Sequence, residues 1–97
     1  MKAMAEGDIN TVLLRAFLAV VGEGSFARAS LKLGVTQPTV SARIKTLDRR
    51  LGASVFRRGG ASAVRLTAVG RELLPDAEAM VALHDRIVSG HRARRFW

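Results

Sequence analysis

A mainly α fold, with three short helices, one small β-hairpin and a long fourth helix, is predicted by three observations. Apolar residues recur at three- and four-residue intervals in four stretches, the spacing of helices with one buried face. Glycine follows each of the first three stretches. Between the third and the fourth the period shortens toward two around Gly59-Gly60, the pattern of two short paired strands.

The first helix starts at Asn10, a residue whose side chain can accept an N–H at a helix start, and places Leu14, Phe17, Leu18 and Val21 on one face. Gly22 and Gly24 are its stop signals. The second, about eight residues long, is capped by Ser25 and buries Phe26, Ala29 and Leu33. Gly34 then lets the chain turn through the left-handed region without a Cβ clash. Thr36 caps the third helix, and Pro38 sits in its first turn, where a missing N–H costs nothing. Val40, Ile44, Leu47 and Leu51 form its core stripe, so Gln37, Pro38, Ser41, Ala42, Lys45 and Asp48 are expected to point outward, until Gly52 ends the run.

Val55 and Phe56, then Val64 and Leu66 with Arg65 between them, make the hairpin. Thr67 caps a fourth helix reaching about Ser89, with Pro75 expected either to bend it or to mark a late start, and "HRARRFW" follows Gly90 as a tail. Two short helices around a glycine turn, followed by a basic hairpin, make a winged helix-turn-helix. The resulting division is a disordered segment at 1–9, a winged domain at 10–66 with its helix-turn-helix at 26–45 and wing at 55–66, a long helix at 67–90 and a tail at 91–97.

The 97 residues suffice for one domain, and an apolar fraction of 48% is enough to fold it. Net charge is +8, and its location is more telling than its size. Ten basic residues and one acid, Asp48, lie between Ser25 and Arg71, so this block holds +9 and the remainder of the chain −1. Such a concentration is the footprint of a polyanionic partner. With no cysteine, a disulfide frame, a thiolate metal site and a cysteine nucleophile are all excluded. His84 and His91 stand seven apart with only Asp85 nearby, so neither a metal site, a cofactor nor catalysis is expected. No apolar stretch suits a signal peptide or a membrane span, so a soluble, cytoplasmic protein without a membrane partner is expected.

The head of the third helix has the chemistry of a groove reader. Pro38, Thr39, Ser41 and Ala42 are small enough for the helix axis to come close to base edges, and the Gln37 amide matches adenine. Free N–H groups at that end suit a phosphate near Thr36 or Gln37. Farther along, Arg43, Lys45, Arg49 and Arg50 reach for phosphate or guanine.

These residues also carry a resemblance. The combination of "GSF", "VTQPTVSARIKTLD", "LG...VF.R" and "LT..G..LL", over about Asn10 to Ser89, closely resembles the N-terminal DNA-binding domain of LysR-type transcriptional regulators. The resemblance implies a recognition helix at about 37–51 in the major groove, with Gln37, Pro38 and Ser41 at the DNA, Thr36 near phosphate, and Arg57 and Arg58 over flanking backbone or minor groove. Ser25, Thr39, Ala42, Lys45, Arg49 and Arg65 complete the DNA-binding set. Many such regulators have arginine directly after the serine, where this chain has Ala42; either Arg43 takes over base reading or that contact is missing.

The resemblance further implies that the helix from Thr67 is a linker that pairs with its twin. Two lines at seven-residue spacing, Leu73-Met80-Ile87 and Leu74-Val81-Val88, independently suggest more apolar surface than one small domain covers. Ala77 and His84 join them in the expected dimer interface. A two-fold dimer would suit an inverted-repeat site in double-stranded DNA. The family's small-molecule effector domain cannot be encoded here, so the chain is either an excised domain or a short relative. The competing readings are a short module that heterodimerises with full-length regulators, and a non-specific architectural binder of nucleic acid.

Overall fold

The computed structural model describes residues 8–58 and 63–94, the side chains of Arg58 and residues 92–94 excepted. Residues 1–7 of the expected disordered segment, the Gly59-Gly60 turn and residues 95–97 of the tail lie outside the described residues. Helices α1 (Thr11–Glu23), α2 (Phe26–Leu33) and α3 (Gln37–Leu51) precede strands β1 (Phe56–Arg58) and β2 (Val64–Leu66), and α4 (Ala68–Arg94) follows.

Each helix start is closed by the side chain at its cap. Asn10 Oδ1 accepts from Leu13 N–H at 3.0 Å, Ser25 Oγ from Arg28 N–H at 3.0 Å, and Thr36 Oγ1 from Thr39 N–H at 3.2 Å. Thr67 does the same for α4, accepting from Gly70 N–H at 3.0 Å while its hydroxyl donates to the Ser54 carbonyl at 2.7 Å. Gly24, Gly34 and Gly52 end the first three helices with φ of 80°, 72° and 77°, the left-handed region where a Cβ would be strained.

Helix α1 is the centre of the core. Because α2, α3 and α4 all pack on it, its buried band is wider than one stripe and takes in Leu13, Leu14, Ala16, Phe17, Ala19 and Val20. Val40, Ile44 and Leu47 of α3 and Ala29 of α2 close it from one side, and Val55 and Ala77 from the other. The Phe56 ring stacks at 5.4 Å from Phe17 and edge-on at 5.9 Å from Phe26, which anchors the root of the wing to the helices. The wing strands are antiparallel, with Phe56 opposite Leu66, Arg57 opposite Arg65 and Arg58 opposite Val64.

Several expectations are corrected. Ile9, assigned to a disordered segment, packs half-buried against the core, and the Asp8 carbonyl accepts from the Arg50 guanidinium at 2.8 Å. Gly22 lies inside α1 and stops nothing. Leu51 is exposed, since the last turn of α3 runs past the core. Helix α4 begins at Ala68, so Pro75 marks no late start, and it continues through Gly90 and the first part of the tail to Arg94. An exposed helical glycine costs only about 1 kcal/mol, too little to end a long helix by itself. At about 1.5 Å per residue this 27-residue helix is about 40 Å long, and it gives the molecule a 54 Å longest axis.

Candidate nucleic-acid interface

Helix α3 presents one uninterrupted exposed line. At about 100° per residue, Val40, Ile44 and Leu47 share an arc that is buried to 4% exposure or less, and the opposite side is occupied by Pro38, Ala42, Lys45 and Arg49, all exposed. Thr39, Ser41 and Arg43 are half-buried on its flanks. At the head of the helix Gln37 is exposed, and Thr36 and Thr39 share a hydroxyl hydrogen bond of 2.9 Å beside the cap. The line thus begins with small, uncharged groups and becomes cationic two turns later.

The basic residues of the block differ in how far they are already neutralised. Glu23 lies 3.7 Å from Arg28 and 3.8 Å from Lys32, so two cations of α2 are met by a carboxylate from α1. Arg50 is turned to the Asp8 carbonyl. Arg43, Lys45, Arg49, Arg57 and Arg65 have no ion pair among the described residues, and the contact of Arg49 with the Thr46 hydroxyl is a long 3.5 Å. The unneutralised charge is therefore concentrated on α3 and the wing.

On the wing, register puts Arg57 directly opposite Arg65 and both are exposed. Two cations across one rung repel each other, a local cost that no carboxylate among the described residues offsets. Phe56 and Leu66 face the other way and pack on the core. The side chain of Arg58 lies outside the described residues.

Of the residues expected at an interface between copies, Ala77 is a correction. It is 0% exposed, because the middle of α4 lies on the core and only a small side chain fits there, so it has no surface to offer a second copy. Leu73, Leu74 and Val81 are half-buried against the same core. Met80, Ile87 and Val88 are exposed, joined by Leu83 on the same half of the helix. His84 is exposed and occupied: Asp85 Oδ1 accepts from Arg15 of α1 at 2.5 Å and lies 3.2 Å from His84 Nδ1. That pairing holds the Asp85 carboxyl below its ordinary value of 3.8, with the Arg15 hydrogen bond the main cause and His84 the next.

Sequence reasoning missed two positioning residues. Asp48, expected to face outward, is half-buried, and its Oδ1 accepts from Val55 N–H at 3.0 Å while its carbonyl takes Gly52 N–H at 2.8 Å. Helix α3 and the wing root are thereby joined through one side chain. The Val55 carbonyl in turn accepts from Thr67 N–H at 3.0 Å, and a Cβ at Gly70 would stand 2.3 Å from that oxygen. Only the missing side chain of Gly70 lets α4 sit so close. Acid-in-helix and glycine-in-helix are too common as patterns to have signalled either contact.

Comparison with known proteins gives a consistent result. The model of the bacterial regulatory helix-turn-helix protein, lysR family, matches residues 12–71. Over 70 residues the chain is 46% identical to an uncharacterised HTH-type transcriptional regulator in the ibpB-leuC intergenic region of Azotobacter vinelandii, covering 72% of this chain and 48% of that protein. It is 42% identical over 74 residues to the HTH-type transcriptional regulator HdfR of Escherichia coli, covering 76% of this chain and 26% of HdfR. The chain thus spans about half the length of one relative and about a quarter of the other. Among solved structures, the BenM DNA-binding domain in complex with benA site 1 DNA matches with a TM-score of 0.80 at 33% identity, over 88% of this chain and 94% of that one. The CbnR DNA-binding domain–DNA complex matches with a TM-score of 0.78 at 32% identity, over 89% and 95%.

Proposed function

The chain belongs to the lysR family of bacterial regulatory helix-turn-helix proteins, and on that premise we propose that it binds a specific double-stranded DNA site as a dimer and serves transcriptional regulation rather than catalysis. The observation that carries this reading is the exposed line of α3, small at its head, cationic farther along and free of carboxylate partners among the described residues. A helix about 10–12 Å across fills a major groove about 12 Å wide, and small residues let it approach the base edges. Gln37 and Ser41 supply hydrogen-bonding groups near the bases, with the Thr36 end of the helix near phosphate. Arg57, Arg58 and Arg65 serve the flanking backbone or minor groove: a phosphate between Arg57 and Arg65 would relieve their repulsion. That solved relatives of this fold are complexes with DNA supports DNA as the partner.

Dimerisation rests on the exposed Met80, Leu83, Ile87 and Val88, a solvent-facing apolar run that a twin helix would cover. A two-fold pair presents two reading helices to one face of the duplex, so the site is an inverted repeat with half-sites about one helical turn apart. A cytoplasmic location fits this role, and among the described residues no helix is long and apolar enough to cross a membrane. Single-stranded RNA fits poorly, since Phe26 and Phe56, the aromatic residues of the basic block, are packed against each other and Phe17.

Selection of bound duplexes from a random pool tests the proposal. An enriched inverted repeat, bound far more tightly than random DNA at physiological salt and with a salt slope of several phosphate contacts, is the expected result. Equal affinity for enriched and random duplexes would overturn it.

A further inference from the structure

Helix α4 leaves the core long before it ends. Ala77 is fully buried and Val81 half-buried, but from Ala82 to His91 every residue is exposed. Among the described residues, the side-chain hydrogen bonds between α1 and this outer segment all come from Arg15, whose guanidinium donates to Asp85 Oδ1 at 2.5 Å and lies 3.4 Å from His84 Nδ1. Asp85 is about 40° around the helix from Val81, so it continues the side of α4 that faces α1. It is about 140° from Met80 and about 160° from Leu83 and Ile87, on the opposite flank from the exposed apolar run. The outer segment can therefore be held to its own α1 on one flank while the other flank stays open.

An exposed ion pair contributes little to folding. Orienting a segment that packs on nothing else takes far less than folding it. Between Val81 and Val88 the helix advances about 10 Å, so a tilt of about 20° there moves its apolar flank by about 3.5 Å, close to the rise of one base pair. Resting on the dimeric DNA reading of the preceding section, we infer that the Arg15–Asp85 pair sets the angle of the outer part of α4 and thereby the half-site separation that the dimer accepts. Arg15 and Asp85 are positioning residues in this scheme: they touch neither the duplex nor the twin helix, and they act through the direction in which α4 presents Met80, Leu83 and Ile87.

The test uses the 97-residue chain and the selected inverted repeat, with base pairs inserted or removed one at a time between the half-sites. For the wild type, affinity falls about tenfold on changing the spacer by one base pair, because the second half of the dimer no longer engages fully. Asp85→Ala and Arg15→Ala each flatten that dependence to about threefold or less, and the double variant flattens it no further, as two partners of one contact require. Affinity for an isolated half-site stays at the wild-type value in all three, sedimentation still shows a dimer, and circular dichroism checks folding. A spacer dependence that Asp85→Ala leaves intact overturns the inference, as does an equal loss on the isolated half-site. A monomeric wild type, or a pool with no enriched repeat, overturns the dimeric DNA reading itself, so the two failures are distinguishable.

Discussion

Arg65 faces Arg57 across the wing with no carboxylate near either among the described residues, an arrangement that local stability alone would not favour. Opposed like charges cost roughly 0.2–1 kcal/mol, and threonine suits an exposed strand position. Arg65→Thr is therefore expected to raise the unfolding free energy in urea by a few tenths of a kcal/mol while lowering DNA affinity and the salt slope by about one phosphate. A variant that is more stable and binds equally well would show that the pair serves no anion. At Asp85 the sign is opposite. Its carboxyl is held below 3.8 in the folded chain by Arg15 and His84, so the stabilisation it confers is complete above that value and disappears as pH falls through the lower folded-state value. Asp85→Asn should melt below the wild type at pH 7, and the two melting temperatures should converge in strong acid. A gap that persists below the folded-state value would rule out the ionised pair as its source.

At the level of elements, two glycines of α4 make opposite demands. Gly70 is pressed against the Val55 carbonyl, where a Cβ at 2.3 Å would meet backbone that cannot move aside, whereas Gly90 has nothing within 4 Å. Gly70→Ala is expected to destabilise the fold by about 1–3 kcal/mol and to detach the start of α4 from the wing root. Gly90→Ala should stabilise it by about 0.5–1 kcal/mol through the ordinary helix preference of alanine. Urea titration of both variants checks the pair, and equal effects would contradict the packing of α4 on Val55. The same junction explains why Asp48 faces inward. A helix followed within four residues by a strand needs its end fixed, and the Val55 N–H needs an acceptor.

Across the whole molecule, α4 has two roles along its length. Its first half is spent on the core through Leu73, Leu74 and Ala77, and its second half is tied to α1 mainly by the exposed Arg15–Asp85 pair, with Met80, Leu83, Ile87 and Val88 facing solvent. Replacing Met80 and Ile87 together by glutamate should give a monomer by sedimentation, with a folded winged domain and affinity reduced to that of a single half-site. A dimer that survives would place the interface elsewhere. How far the sequence alone reached follows from the range of the forces involved. The caps at Asn10, Ser25, Thr36 and Thr67, the left-handed turns at Gly24, Gly34 and Gly52, and the hairpin were all legible, because each rests on interactions within a few residues of chain. The outward face of α3 was legible in part for the same reason: Gln37, Pro38, Ala42 and Lys45 are exposed as helical phase requires, whereas Ser41 and Asp48, also expected outward, are half-buried. Tertiary structure alone decided that Ala77 belongs to the core, that Asp48 holds the wing, and that Gly70 must lack a side chain. Those outcomes depend on which surfaces meet after the helices close around α1, and a one-dimensional pattern records which residues share a face without recording what that face will touch.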